Sequence, residues 1–161
     1  MNAPQIKAEQ ALESVRLVLP YPISSNRYWR PVHIGNHITI VPTREAKDYR
    51  KQVSTLATRA MVTPMSGRLA MALRLFPHRP LDWSRRARKN PDDWADTVQC
   101  IDLGNCEKVL SDALNGIAWH DDKQLHDIHL VRCEPDEQGA RVEVEIAPLA
   151  RERVAPGLFV C

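Results

Sequence analysis

Arg68-Leu-Ala-Met-Ala-Leu-Arg-Leu-Phe76 places Leu69, Met71, Leu73 and Leu75 at every second position, which puts four aliphatic side chains on one face of an extended strand. A turn-rich Pro64-Met-Ser-Gly67 leads into it. Two helical stripes flank the strand in sequence and can cover that face. Upstream, Ala46 to Met61 is rich in helix formers and carries Tyr49, Val53, Leu56 and Ala60 at spacings of three and four. Thr43 stands where this helix needs a cap, and Glu45 faces the positive end of its dipole. Downstream, Asn105 to Gly116 reads as a second helix with Val109, Leu110, Ala113, Leu114 and Ile117 as its buried stripe and Gly116 near its C-cap.

Further out, Val15 to Leu19 is a short apolar run stopped by Pro20 and Pro22, a strand entering a loop from Tyr21 to Pro31. Val32 to Val41 has a Gly35-Asn36 pair between two β-branched arms and reads as a hairpin. From Pro77 to Gln99 the pattern dissolves into prolines, tryptophans and dense charge, and a long loop is expected there. Two strands follow, Asp127 to Cys133 and Ala140 to Ala147, joined by the turn-rich Pro135 to Gly139. In the last, Val142, Val144 and Ile146 alternate with Arg141, Glu143 and Glu145, leaving one face wet. This order predicts a single α+β domain over residues 15–148, a mixed β-sheet with two main helices packed on one side. Residues 1–14 read as a flexible leader, with transient helix around Ala8 to Leu12, and 149–161 as a C-terminal tail.

The 161 residues suffice to bury a core without disulfides or a structural metal. Hydrophobic residues at 43% and charged residues at 26% exclude a disordered chain. The four cysteines, Cys100, Cys106, Cys133 and Cys161, form no C-x-x-C pair, so they read as buried or idle thiols rather than zinc ligands. No run is long enough to span a bilayer and the opening residues lack signal-peptide order, so no membrane partner and a cytoplasmic location are expected. A net charge of +2 announces no nucleic-acid partner by itself; the distribution of charge must carry that argument.

Chemistry concentrates between Cys100 and Gln124. Asp102 sits where a short extended stretch meets the second helix, and Asp121 and Asp122 follow that helix's last turn. These carboxylates converge only if the Asp121-Asp122 pair folds back toward the helix start, since a helix of about 12 residues spans roughly 18 Å. Converged, they offer the oxygen ligands that hard divalent ions prefer. Lys108 lies three residues after Asn105 on one helix face, where an ammonium can meet a phosphate or a leaving oxygen. On residue types alone the bland reading stands beside this one. Asp102 could be only an N-cap, Lys108 a solvated side chain and Asp121-Asp122 an ordinary turn.

Asp102-Leu-Gly-Asn105, Lys108, then Asp112-Ala-Leu-Asn-Gly116 and Asp121-Asp-Lys-Gln124 resemble the signature of the RusA family of Holliday-junction resolvases. The opening Leu19-Pro-Tyr-Pro-Ile-Ser-Ser-Asn-Arg-Tyr-Trp-Arg30 and the helix holding Asp48-Tyr-Arg50 also resemble that family, and the likeness covers about residues 15–148. The resemblance implies a homodimeric, magnesium-dependent endonuclease that binds four-way junction DNA and nicks two strands symmetrically in recombination and repair. It implies Asp102 and Asp122 as metal ligands with Asp121 beside the latter, and Lys108 as the essential lysine. Asn105 matches the motif's asparagine.

The chain departs from the pattern at Gly104, where the family has a second aspartate. An inactivated protein, a site completed by Glu107 or water, and a weaker metal demand are the open accounts. Glu107 falls on a different helical face from Asn105 and Lys108, so impaired catalysis with the fold and DNA binding kept is expected.

The segment before Asp102 is also longer than the family's basic stretch, with Arg85, Arg86, Arg88 and Lys89 set apart from it by Asp92, Asp93 and Asp96. This cluster could grip phosphates, with Trp83 or Trp94 for stacking, or be a solvated charged loop. Asn26, Arg27 and Arg30, interleaved with Tyr28 and Trp29, are further DNA-contact candidates that could equally pack on the core. His126 and His129, three apart on a strand, point to opposite faces; His33 and His37 flank the hairpin turn; His120 adjoins the aspartate pair. Three functions therefore compete: a junction-cutting nuclease, a non-catalytic four-way-junction-binding protein, and an RNA- or protein-binding α+β module.

Overall fold

The computed structural model describes residues 14–150; the expected leader, most of the tail and Cys161 lie outside the described residues. Strands β1 (Val15–Pro20), β4 (Leu69–Phe76), β5 (Leu125–Arg132) and β6 (Arg141–Pro148) form one sheet in the order β1-β6-β4-β5. The β1–β6 and β6–β4 pairs are antiparallel, and β4–β5 is parallel. Strands β2 (Trp29–Ile34) and β3 (His37–Pro42) form a separate two-stranded ribbon closed at Gly35, whose φ of 60° suits the turn. Helices α2 (Arg44–Arg59) and α4 (Leu103–Leu114) pack against each other and against the sheet. The chain is thus the α+β domain with a mixed sheet that the pattern predicts.

The alternation in β4 decides which face is covered. Leu69, Met71, Leu73 and Leu75 are all buried, and Val144 of β6 stands between Leu17 of β1 and Leu73 of β4 in one row across the sheet. Val53 and Ala57 of α2 and Val109, Leu110, Ala113 and Leu114 of α4 close over that face. Each such aliphatic side chain contributes about 1.5–3 kcal/mol by leaving water. The opposite face carries Arg16, Arg74, Glu143 and Glu145, tied in exposed ion pairs.

Several boundaries differ from expectation. Residues 21–31 are not wholly a loop: Ser24 caps a single helical turn, α1 (Ser25–Tyr28), and Trp29 to Pro31 already belong to the ribbon. The buried stripe of α2 is Ala46, Tyr49, Val53 and Ala57; Ala60 is its exposed C-cap, because the spacing of four from Val53 reaches Ala57. The stretch 77–99 is not a structureless loop either. It holds α3 (Trp83–Lys89) and a 3-10 turn, Trp94–Thr97, pinned by the Trp83–Trp94 contact and by Arg79 stacked 4.6 Å over Trp83. Its short segments and dense prolines hide any apolar period. Helix α4 begins two residues before Asn105, at Leu103, since Asp102 is its cap. Arg141, read as part of a wet face, is buried: its guanidinium lies 3.8 Å from the Phe76 ring centroid and grips Asp136 through two bonds of 2.7 and 2.8 Å.

One side chain fastens the turn before β5 to the entry of β4. The Gln124 amide nitrogen donates to the carbonyls of Met65 and Gly67, both at 2.9 Å, and its oxygen accepts from the backbone N–H of His120 and Asp121. Gln124→Ala strands all four groups. It is expected to cost about 1–2 kcal/mol in urea denaturation, with faster amide exchange at residues 120–123 than in the middle of β4.

Candidate active site

Parallel pairing of β4 and β5 requires a crossover, and the chain from 77 to 124 makes it with α4 lying over the sheet. The functional candidates sit at the two ends of that helix and along one of its faces. Asp102 ends an extended segment and caps α4, its Oδ1 accepting the Asn105 N–H at 2.8 Å. The Asn105 side-chain amide donates to Asp102 Oδ2, and the Ser25 hydroxyl donates to Asn105 Oδ1. Tyr21, on the same loop as Ser25, accepts the Ile101 N–H at 2.9 Å. The loop preceding α1 is therefore laced along residues 100–105.

At the other end, Trp119 is fully buried and its indole N–H donates to Asp122 Oδ1 at 2.8 Å, which fixes the carboxylate's direction. Asp121 instead caps the 3-10 turn Asp122–Gln124 by accepting the Lys123 N–H, and forms a capping box with Gln124. The N-cap reading of Asp102 and the turn reading of Asp121-Asp122 are thus both real, and neither precludes chemistry.

Asp112, two turns along α4 from Asn105, was missed from sequence because it sits inside a helical run where an acid reads as a solvated side chain. It is half-buried, and burial together with the Asp122 charge pushes its carboxyl above the ordinary carboxylate range, while Lys108 and Arg50 pull it back. Asp112, Asp122, Lys108 and Arg50 therefore form one charged group across α4, α2 and the turn before β5. The fully buried Tyr28 hydroxyl faces the same group; burial raises its pKa, and it has no hydrogen-bond partner among the described residues. Glu107 is occupied by the Ser111 hydroxyl at 2.7 Å.

A magnesium ion takes six oxygens, several of them from water and commonly one or two from protein carboxylates. Among the described residues no three His, Cys, Asp or Glu side chains gather closely enough to hold a metal. Both Asp102 oxygens are bonded to Asn105, Asp122 lends one to Trp119, and position 104 offers none. The donor set as it stands does not complete a metal cradle. A side chain at 104 would be tolerated, since a Cβ there would lie 3.4 Å from Asp102 Oδ1, an ordinary contact, with no positive φ to strain it.

Among the basic candidates, Arg85, Arg88 and Lys89 are exposed on α3, whereas Arg86 is turned inward, bonding Asp82 through Nε and Thr97 through Nη1. Asn26, Arg27 and Arg30 line a surface hollow with Arg44, and Arg27 pairs with Glu45 at 2.8 Å. His33, His37, His120, His126 and His129 are all exposed. Cys106 is buried, which pushes its thiol up to about 12 and leaves it inert. No described helix is long and apolar enough to cross a membrane.

Compared with known families, the amino-acid sequence falls within a class of endodeoxyribonucleases. The profile of the family described as "Endodeoxyribonuclease RusA" matches residues 20–147. The chain belongs to that family. It is 29% identical over 142 residues to the crossover junction endodeoxyribonuclease RusA of Shigella sonnei (strain Ss046), which covers 88% of this chain and all of the relative. It is 28% identical, at the same coverage, to the proteins of that name from Escherichia coli (strain K12) and Enterobacteria phage 82.

The raised Asp112 carboxyl has a consequence for stability. At Asp112 the folded state holds more of the proton than the unfolded one from roughly pH 4 upward, so this group's own contribution to stability falls as pH rises through that window, against the opposite contributions of the lowered Asp82, Asp136 and Glu145. Asp112→Asn is expected to remove part of this fall. In urea denaturation the variant should match the parent at low pH and exceed it near neutrality.

Proposed function

We propose that this chain acts on four-way DNA junctions as a homodimeric, magnesium-dependent endonuclease whose turnover is limited by Gly104. The observation that carries the reading is the family match over 20–147, which takes in the loop before α1 and both ends of α4 together. The names of its relatives supply the substrate class, branched DNA. Asp102 and Asp122 are the carboxylates assigned to the metal, and Asp121 is assigned to capping the turn rather than to binding. Lys108, exposed beside Asp112, is assigned to stabilising charge at a phosphate. Magnesium, when bound, supplies an activated water and charge neutralisation at the scissile phosphate.

A homodimer accords with the β2–β3 ribbon. Its cross-strand pairing puts Trp29, Pro31, Ile38 and Ile40 on one face, and the two isoleucines are 66% and 67% exposed. A second copy would cover that surface and present two sites to two strands of a junction. A cytoplasmic location follows from the same reading, as DNA is the substrate.

Gly104 itself favours one second reading, a protein that binds junctions without cutting them. A carboxylate at 104 beside Asp102 would strengthen metal binding. Gly104→Asp is expected to raise magnesium-dependent nicking of a synthetic four-way junction at least tenfold, about 1.4 kcal/mol in the barrier. Lys108→Ala in that background should lower the rate again without matching loss of binding. A parent that nicks efficiently and gains nothing from Gly104→Asp would show that another group completes the site. If neither cuts while both bind, the non-catalytic reading stands.

The exposed face of α3 is assigned to phosphates. Replacing Arg85, Arg88 and Lys89 with Ala should weaken junction affinity and lower the salt-dependence slope by roughly one per lost contact. Arg86→Ala should instead loosen the 77–99 segment and leave the slope unchanged, because its guanidinium is already engaged.

A further inference from the structure

A cleft beside Asp102 has no role in the reading above. It lies between the loop before α1 and the 77–99 segment, encloses about 530 Å³, and is walled by Tyr21, His78, Arg86, Gln99, Cys100 and Ile101. That volume falls in the range of roughly 300–1,000 Å³ seen for small-ligand pockets. Resting on the junction-cutting reading, we propose that this cleft receives an unstacked nucleobase next to the crossover and thereby sets the sequence preference of cleavage.

Three observations converge on a base. The first is position. The wall formed by Gln99, Cys100 and Ile101 runs directly into Asp102, and Tyr21 before α1 and Ser25 at its start bond to residues 101 and 105. A nucleotide whose phosphate reaches Asp102 therefore has its neighbour at the mouth of the cleft.

The second is surface chemistry. The Tyr21 and His78 rings stand 5.9 Å apart at a 46° tilt, and His78 is exposed, so an aromatic face is open to a flat ligand. The exposed Gln99 side chain brings a donor and an acceptor suited to a base edge.

The third is rigidity. Arg86 is fixed by Asp82 and Thr97, and Tyr21 by Ile101 and Cys100, so the opposing walls hold their shape before any ligand arrives. A base pair at the point of strand exchange of an opened junction lacks a stacking neighbour on one side, so extruding its base costs less than within a continuous duplex, which makes this point of the junction the natural donor.

The test uses the full chain in EDTA, so that no strand is cut, with four-way junctions carrying 2-aminopurine in turn at each position flanking the crossover. Binding is read by gel shift and unstacking by fluorescence. A several-fold rise over the free junction is expected at one flanking position. His78→Ala, which removes one wall, and Gln99→Trp, which fills the opposite one, are each expected to at least halve that rise while junction affinity is kept. Circular dichroism verifies that both variants are folded. Tight binding with no rise at any position, or a rise left intact by both variants, overturns the proposal and leaves the junction reading standing. Variants that change only the salt slope would mark the cleft as a phosphate holder and also overturn it. Failure to bind junctions at all brings down the junction reading and this inference with it.

Discussion

The parallel pairing of β4 with β5 is the constraint from which the site follows. Two neighbouring strands running the same way cannot be joined by a tight turn, so the chain must leave the end of β4, cross the sheet and return to the start of β5. Helix α4 is the return path, and its apolar stripe of Val109, Leu110, Ala113 and Leu114 is what closes the core. Asp102 then caps the start of that helix, and Asp122 follows in the turn before β5, its charge acting on Asp112. Chemistry between them depends on groups placed along the helix, and Lys108 and Asp112 occupy those places.

Much of the polar structure serves to hold this helix in register. Asp102 caps it, Asn105 carries the cap's second oxygen to Ser25, Trp119 aims Asp122, and Gln124 sews the arriving turn to the entry of β4. Capping and catalysis are not competing explanations for such residues. A carboxylate held by a backbone N–H and an amide has few orientations left to lose when a substrate binds, and this preorganisation is what a reacting group requires. The incomplete donor set at position 104 is thus set in a frame otherwise fully built.

The sequence made the architecture readable wherever one periodicity ran long enough. The two-residue alternation of β4 and β6 and the helical stripe of α4 left little ambiguity, because burying one face fixes the register. Legibility failed where elements were short or held by single contacts. Helix α3 has no buried residue and shows no stripe, so nothing in its composition separates it from a charged loop. Arg141 breaks the expected alternation because its burial depends on Phe76 and Asp136, a ring and a carboxylate that no local pattern brings together. At the site, Asp102, Lys108 and Asp122 could be found from motif spacing. Asp112 falls within the same motif but its part in the site could not be read there, since its environment comes from α2 and the turn before β5, and the contact of Ser25 with Asn105 joins residues 80 apart.

The Gln124 amide clasp bears on when the protein becomes competent. It links the turn carrying Asp122 to the segment that starts β4, strands whose pairing spans more than fifty residues of chain. Until that long-range pairing forms, Asp122 has no defined relation to Asp112 or Lys108. A chain still emerging from synthesis, or one whose β5 edge has come loose, would carry the same acids and bases with no assembled centre.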